Sequence, residues 1–161
     1  MKIKISINKF PQNGYLNIDP CPNIPEEYAG NFQIIQADYR NIDELVFDSE
    51  CDEIIVEDVL DYIPTKSVKD NIICWAKKLR SEGTITIVGT DIEETMKLYF
   101  NRTSAVEDLN VKLYGEGDHP WHFKCGMTTL SYVTGVLKDL NLKITYRNFK
   151  DNKFIVTAKR G

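Results

Sequence analysis

Hydrophobic positions along the chain follow two different periods. Apolar residues that alternate with polar ones, or that form short unbroken runs, are typical of β-strands. Such stretches lie at residues 2–7, 15–19, 32–36, 53–56, 84–88, 142–149 and 153–159. Apolar residues spaced three and four apart, which form one face of a helix, occur over residues 67–80, 91–100 and 128–140. Residues 101–127 contain few periodic positions and are predicted to be a long loop.

The order of these elements predicts an α/β fold with a Rossmann-like, mostly parallel sheet and a C-terminal antiparallel hairpin. Strands that alternate with helices favour parallel pairing. The last two strands are separated only by Lys150, Asp151 and Asn152, a spacing typical of a hairpin. The length of 161 residues favours a single domain over residues 1–161. In open sheets of this kind ligands bind beyond the carboxyl ends of the strands, so the functional residues are expected there.

Individual residues refine this arrangement. Gly83 is predicted to take the left-handed conformation that ends the preceding helix, and Asp91 is predicted to cap the next one. The apolar run at 53–56 is predicted to be a strand buried on both faces. Only residues 8–14 connect the first two strands, which is too few for a helical crossover. Either this connection is a tight loop, or the two strands pair in another way.

Composition and charge exclude several classes of protein. The formal net charge of −4 and the pI near 5.2 argue against general nucleic-acid binding, which normally needs a basic face. No stretch approaches the ~18 apolar residues that span a bilayer. Residues 1–7 alternate in the manner of a strand, not of a signal peptide, and the four cysteines lack zinc-like spacing. A soluble, cytoplasmic protein without membrane contact or zinc is therefore expected.

Four sequence motifs occur in an order that matches a known family. Residues 14–19 read Gly-Tyr-Leu-Asn-Ile-Asp, and residues 50–63 contain an apolar strand followed by Val-Leu-Asp-Tyr-Ile. Residues 75–87 join a Trp-containing helix to the strand Thr-Ile-Thr-Ile, and residues 112–115 (Lys-Leu-Tyr-Gly) precede the last helix. Together these motifs resemble those of small class I S-adenosylmethionine-dependent methyltransferases of the methyltransferase-11 group, over nearly the whole chain.

The resemblance implies roles for several residues at the strand ends. In this family an acid at the position of Asp19 binds the ribose hydroxyls of the cofactor. An acid at the position of Asp38 lies near the adenine amino group, with Tyr39 beside it. Glu57 and Asp58 correspond to the loop next to the methionine portion of the cofactor and the substrate. A carboxylate there can act as a general base, so Asp58 is also a candidate catalytic residue.

The glycine-rich cofactor loop of the family is missing from this chain. Where the family has Gly-x-Gly after the first strand, this chain has Asn8, Lys9 and Phe10. Asn8 takes the cofactor-loop position, and Lys9 could reach the carboxylate of the cofactor. The predicted function is S-adenosylmethionine-dependent methyl transfer to an oxygen or nitrogen of a small molecule, sugar or protein side chain. The alternative is a catalytically inactive methyltransferase-like binding or assembly module.

Both histidines of the chain lie in one glycine-flanked segment, with Trp121 between them. His119 and His122 are predicted to close over a ligand as part of a lid, and each is a candidate general base. The alternative is a loop that packs its aromatic side chains onto the sheet. Two imidazoles with only Asp118 or Glu116 nearby make a weak ligand set, so no metal site is expected.

Overall fold

A computed structural model describes residues 1–28 and 30–161 of the chain, and its centre is one seven-stranded sheet. The strands, in chain order, are β1 (Lys2–Ser6), β2 (Leu16–Ile18), β3 (Gln33–Ile35), β4 (Cys51–Glu57), β5 (Leu79–Thr90), β6 (Lys143–Lys150) and β7 (Lys153–Lys159). Their order across the sheet is β3-β2-β1-β4-β5-β7-β6. Neighbours from β3 to β5 are parallel, and β7 is antiparallel to both β5 and β6. The predicted α/β class, with a mostly parallel sheet and a C-terminal antiparallel hairpin, is confirmed.

Five α-helices lie within the described residues. They are α1 (Ile42–Leu45), α2 (Val68–Lys78), α3 (Ile92–Phe100), α4 (Val106–Tyr114) and α5 (Leu130–Asp139). Short 3-10 turns supplement them at Glu26–Tyr28, Tyr39–Asn41, Leu60–Tyr62, Thr65–Ser67 and Pro120–His122. Within residues 1–28 and 30–161, no helix has the length and apolar character that crossing a bilayer requires.

The hydrophobic core lies on the face of the sheet against which α2 and α5 pack. Every second residue of the central strands points to this face. The fully buried strand side chains include Ile3, Ile5, Ile54, Val56, Ile85, Ile87, Phe154 and Val156. Trp75 of α2 and Leu137 of α5 join the same cluster and have no exposed surface. Burying an aliphatic or aromatic side chain contributes roughly 1.5–3 kcal/mol, so this one-sided core is the main source of stability.

The opposite face of the sheet carries no comparable helical layer over β1, β2 and β3. Between β1 and β3 the only helical structure in the described residues is the 3-10 turn Glu26–Tyr28. Glu53, Ile55 and Glu57 are half-buried on this side of β4, and Glu57 forms an ion pair with Lys4 at 2.7 Å. The prediction that this strand is buried on both faces is wrong, because the connections that would carry covering helices are loops.

The first connection, from β1 to β2, is a tight loop, and the strands it joins are parallel neighbours. Hydrogen bonds take the place of a helix in this connection. Nζ of Lys4 donates to the carbonyl of Phe10 at 3.1 Å. The Asn17 side chain accepts from the Gln12 N–H (2.8 Å) and donates to the Gln12 carbonyl (3.0 Å). The Phe10 ring packs edge-on against Phe32, with ring centroids 5.4 Å apart. Of the two alternatives that the sequence left open, the tight loop is correct.

Gly83 does not end helix α2 in the predicted left-handed conformation. The helix ends at Lys78, and the residue with a left-handed backbone is Glu82 (φ 66°). Gly83 is required for another reason. A Cβ at this position would lie 2.8 Å from the carbonyl oxygen of Cys51 and 2.9 Å from that of Arg80. Two backbone segments approach Gly83 too closely for a side chain.

The segment 101–127, predicted to be a loop, contains helix α4. No residue of α4 is buried, so the apolar periodicity that marks other helices is weak here. The residue before the helix is Ala105, which has no capping side chain. A glycine with φ 81°, Gly115, ends the helix. A capping side chain and a buried apolar face are the sequence signals of a helix, and α4 has neither. The sequence therefore predicts an unbroken loop here, and that prediction is wrong.

Replacing Gly83 with alanine is expected to lower the free energy of unfolding by about 1–3 kcal/mol, because the added methyl group overlaps two backbone carbonyls. The matched control is Gly135→Ala in the middle of α5, where an added Cβ meets nothing within 4 Å. That change is expected to raise the free energy of unfolding by roughly 0.5–1 kcal/mol, since alanine favours a helix. Urea denaturation measures both values, and similar stability of the two variants would contradict this account of Gly83.

Candidate functional site

A cleft of about 340 Å³ opens at the carboxyl ends of β1 and β4. One wall consists of residues that follow these two strands, namely Ile7, Asn8, Lys9, Asp58, Asp61 and Tyr62. The other wall belongs to α4 and the residues after it, namely Val111, Lys112, Gly115, Glu116, His122 and Lys124. Lys153 of β7 completes the lining. The cleft therefore lies at the edge of the sheet where ligands of open α/β sheets bind.

Asp58 carries two ion pairs in the cleft wall. Its Oδ2 lies 2.7 Å from Nζ of Lys9 and is also bonded to Nζ of Lys153. Burial alone would raise the pKa of Asp58, but the ammonium groups of Lys153 and Lys9 outweigh this effect and hold the pKa below its usual range. The other carboxylate oxygen, Oδ1, is buried without a hydrogen-bond partner among the described residues. A carboxylate with a lowered pKa is a weak base.

Asp61 fastens the lid segment (residues 115–124) to the floor of the cleft. This acid is 1% exposed and accepts hydrogen bonds from the Thr90 hydroxyl at 2.5 Å and from Nζ of Lys124 at 2.9 Å. Its backbone carbonyl accepts from the N–H of Cys125 at 2.7 Å. These bonds hold the C-terminal end of the lid segment against the end of β5.

The carboxylate of Asp19 is buried and fully engaged. Oδ2 accepts from the Ser6 hydroxyl at 2.8 Å and from the N–H of Lys9 at 3.2 Å. Oδ1 accepts from the N–H of Asn8 at 3.0 Å and from that of Cys21 at 2.9 Å. A carboxylate offers about four lone-pair positions, so in this arrangement none is free for a ribose hydroxyl. Asp19 instead fixes the loop after β1, in which Asn8 has a left-handed backbone (φ 53°).

The residues predicted to lie near adenine, Asp38 and Tyr39, form a turn after β3. Asp38 caps the 3-10 turn that follows it, and its carboxylate pairs with the guanidinium of Arg40. Hydrogen bonding to Arg40 holds the pKa of Asp38 below its usual range. The Arg40 guanidinium also lies 6.0 Å from the ring centroid of Trp121. The lid segment therefore reaches this turn and contacts it through a cation–π interaction.

The two histidines differ in what they contact. Nδ1 of His122 is bonded to the carboxylate of Asp118, and its Nε2 lies 3.2 Å from Nδ2 of Asn8 inside the cleft. An imidazole oriented by a carboxylate through one nitrogen can take a proton at the other. His119 caps the short turn that follows it, because its Nδ1 accepts from the Trp121 N–H at 3.3 Å. Of the two, His122 has the surroundings of a base.

Glu116 lies beside the Asp118–His122 pair, and the three side chains together could bind a metal ion. Ligand atoms of Glu116, Asp118 and His122 all lie within 4.8 Å of one another, and both acids are exposed. The sequence predicts too few ligands here for a metal site. The folded lid segment brings together two carboxylates and one imidazole, donors that divalent cations accept.

Three of the residues predicted to bind the cofactor or to catalyse line the cleft: Asn8, Asp58 and His122. Glu57 pairs instead with Lys4 on the face of the sheet without helices. The remaining predicted residues do not line the cleft, namely Asp19, Asp38, Tyr39 and His119.

Sequence reasoning missed two lysines of the cleft, Lys124 and Lys153. Lys153 is separated from its partner Asp58 by 95 residues and reaches it because β7 lies next to β5. Lys124 follows His122 by two residues, and nothing nearby in the sequence identifies Asp61 as its partner. Pairings of this kind follow from the order of strands in the sheet, which local patterns do not determine.

Comparison with known proteins identifies the fold. The sequence matches no protein-family model and no curated protein sequence. Its structure is similar to that of a SAM-dependent methyltransferase from Archaeoglobus fulgidus (TM-score 0.61, 9% identity, 98% of this chain and 86% of that one). It is also similar to a SAM-dependent methyltransferase from Methanosarcina mazei (TM-score 0.60, 14% identity, 98% and 92%).

A longer neighbour is an O-methyltransferase family protein from Burkholderia thailandensis, with a TM-score of 0.55 and 13% identity over 84% of this chain. The chain spans 37% of the length of that protein. The mostly parallel seven-stranded sheet with its antiparallel C-terminal pair is shared with the neighbours. The chain has the class I methyltransferase fold. At these sequence identities the likeness concerns the fold alone, and membership of the methyltransferase-11 group stays a prediction.

S-adenosylmethionine is the cofactor that this fold implies, and the residues present do not fit it. Asp19, the implied ribose ligand, has no free lone pair. Its carboxylate oxygens already accept hydrogen bonds from the N–H groups of Asn8 and Lys9. The Lys9 side chain extends to Asp58 at 2.7 Å, along the loop that would hold the methionine portion. Neither Asp19 nor Asp38 lines the cleft, so the implied ribose and adenine positions are not part of it.

Replacing Asp19 with alanine is expected to lower the free energy of unfolding by about 3 kcal/mol, because buried donors at the ends of β1 and β2 lose a charged acceptor. The control is Asp108→Ala on the exposed surface of α4, for which a change within roughly 0.5 kcal/mol is expected. Chemical denaturation measures both. A loss for Asp19→Ala no larger than that of the control would show that the carboxylate does not organise the loop.

The lowered pKa of Asp58 makes stability depend on pH in a defined direction. A carboxyl group whose pKa is lower in the folded than in the unfolded chain contributes stability above its unfolded pKa, roughly 3.9, and that stability is lost as the pH falls through the folded pKa. Between roughly pH 5 and pH 2 the wild type should lose stability more steeply than Asp58→Asn, which cannot titrate at this position. Equal slopes in denaturation curves across this range would contradict the ion-pair account.

Proposed function

We propose that this chain is a methyltransferase-fold binding module that has lost methyl transfer and holds a polar ligand in the cleft. The observation that carries the proposal is the Lys9–Asp58 ion pair at 2.7 Å. Lys9 lies in the segment where the family has its Gly-x-Gly loop, whose glycines would let the backbone approach a cofactor. With Lys9 present and bound to Asp58, the lysine side chain occupies the space into which the cofactor would fit.

The charges of the cleft support a small polar ligand. Its lining includes four lysines, Lys9, Lys112, Lys124 and Lys153, and three acids, Asp58, Asp61 and Glu116. Two of these lysines share the single carboxylate of Asp58, which leaves positive charge beside it. A small molecule or a protein side chain with both anionic and hydrogen-bonding groups matches such a lining.

The proposal places the protein in the cytoplasm. All four cysteines are free, which is typical of proteins in a reducing compartment. The net charge of −4 speaks against general nucleic-acid binding as part of this function.

A second candidate function is S-adenosylmethionine-dependent methyl transfer, and one observation favours it. The Asp118–His122 pair presents an imidazole nitrogen to the cleft, an arrangement suited to removing a proton from an acceptor oxygen or nitrogen. This function requires that Lys9 leave Asp58 and that Asp19 release the loop, since neither position admits the cofactor as it stands.

Calorimetric titration with S-adenosylmethionine and with its demethylated product distinguishes the two functions. The binding module is expected to give no heat of binding at millimolar ligand, because the groups that would hold the cofactor are already bonded to one another. The protein used must show cooperative thermal unfolding, so that absence of binding is not absence of fold. Binding with methyl transfer to any acceptor would overturn the proposal.

If binding does occur, the two histidines provide a matched pair of variants. His122→Gln should abolish transfer while binding is retained, since the proposed base is removed. His119→Gln should leave transfer largely intact, because this residue caps a turn outside the cleft. Equal loss in both variants would remove His122 as the base of the second candidate.

A further inference from the structure

A groove separate from the cleft lies between helix α5 and strand β6 at the edge of the sheet. One part of it, about 460 Å³, is lined by Thr134, Lys138, Leu142, Lys143, Ile144 and Arg147. An adjoining part of about 390 Å³ shares three of these residues, Thr134, Lys138 and Arg147. We call the two parts together the α5–β6 groove. None of its lining residues belongs to the cleft.

The register of the terminal hairpin brings Arg147 to the groove. Arg147 pairs with Val156, whose side chain is fully buried on the face that α5 covers. Residues directly opposite each other on neighbouring strands share a face, so Arg147 points to the side of α5. On the helix, Thr134 and Lys138 are four residues apart and therefore lie on one stripe. The guanidinium and the helical lysine thus face the same space.

The cations of the groove have no acidic partners. Lys138, Lys143 and Arg147 form no ion pair within 4.0 Å among the residues that the structure describes, and no carboxylate lines the larger part of the groove. Several other lysines of the chain do have acidic partners, such as Lys78, which pairs with Asp43 at 2.6 Å. Arg147 and Lys138 face one space and repel one another unless an anion joins them. Lys143 lies opposite Lys159, so it points to the other face of the sheet. The groove thus carries local positive charge in a chain of net charge −4.

A buried hydroxyl without a partner lies in the same groove. Thr134 is 6% exposed, lines both parts, and its Oγ1 has no hydrogen-bond partner among the described residues. A buried hydroxyl left unpaired costs roughly 1–3 kcal/mol. Threonine in a helix adopts either of two χ1 rotamers, so rotation about Cα–Cβ can turn this hydroxyl towards a ligand in the groove.

We propose that the α5–β6 groove is a binding site for the phosphate group of a small phosphomonoester. Arg147 supplies the planar donor pair that matches two phosphate oxygens, while Lys138 supplies a point charge. The Thr134 hydroxyl donates to a further oxygen. A phosphate dianion brings three strong acceptor oxygens and close to two negative charges, which match these three groups better than the single charge of a carboxylate.

The other end of the groove indicates what the phosphate is attached to. Asp91 and Glu93 line the smaller part. Asp91 already accepts from the N–H groups of Leu130 at 2.8 Å and Glu94 at 3.1 Å, whereas Glu93 makes no such bond among the described residues. Glu93 is therefore available to a hydroxyl or ammonium group. A phosphomonoester with an amine or hydroxyl at its far end matches both parts of the groove.

The experiment titrates the full chain with inorganic phosphate and, separately, with O-phosphoethanolamine, following backbone amide shifts by NMR at constant ionic strength. Both probes are expected to shift amides within residues 134–147, and phosphoethanolamine is expected to bind more tightly because of its amine. Arg147→Gln should weaken binding about tenfold, the loss expected for a charge-assisted donor pair. Lys69→Gln, which removes an exposed lysine from α2, is the matched control and should change the affinity less than twofold, a value of roughly the size expected from net charge alone.

Thr134→Val gives an independent readout. The variant should bind phosphate more weakly, and its resistance to denaturation should be equal to or greater than that of the wild type, because the hydroxyl it removes has no partner in the free protein. Similar losses in Arg147→Gln and Lys69→Gln, or shifts spread over the whole surface, would overturn the proposal. So would binding that is insensitive to Arg147→Gln. The outcome is independent of whether S-adenosylmethionine binds, since that test concerns the cleft.

Discussion

The Asp19 carboxylate lies between the ends of β1 and β2 and accepts hydrogen bonds from both, through Ser6 on one side and Cys21 on the other. It also accepts from the N–H groups of Asn8 and Lys9, so it determines the course of the loop that a helix would otherwise stabilise. With the backbone of Lys9 held there, its side chain meets Asp58. The geometry of the cleft depends on this buried acid.

A chain of charged contacts extends from that point across the sheet. Lys9 and Lys153 meet on Asp58, so β1, β4 and β7 are connected at their ends by side chains as well as by the sheet. Lys124 makes a similar connection from the lid segment to Asp61. Removing one partner of a buried ion pair leaves the other charge unpaired, and this costs more free energy of folding than the intact pair contributes. The cleft is therefore a set of mutually dependent contacts.

How far the sequence determines the structure differs between fold and site. Alternating stretches such as 84–88, the short hairpin turn and the capping Asp91 identify the sheet and its C-terminal pair, because these signals are local. Helix α4 has no such signal and was missed. At the site, the position of the cleft follows from the rule that ligands bind at the carboxyl ends of parallel strands, and His122 follows from its glycine-flanked segment. Lys153 requires the strand order.

Gly83 and Asp19 are two residues whose roles local sequence patterns do not determine. For Gly83 the sequence suggests a conformational role, and the structure shows a close approach of Cys51 and Arg80. For Asp19 the resemblance implies a ligand contact, and the structure shows a carboxylate saturated by its own chain. In both cases the residue type is explained only when distant backbone segments are known to meet.

The position of β7 has a consequence for how the chain folds. This last strand inserts between β5 and β6, so the edge strand β6 cannot join the sheet until β7 has formed. Likewise β1 lies between β2 and β4. Its pairing with β4, in which Lys2 lies opposite Glu53, cannot form until β4 has been synthesised. Pairings between residues far apart in sequence slow folding, because a long loop must close before contacts compensate for it. During synthesis on the ribosome, the unpaired side of β5 stays open to other chains until the final strand emerges.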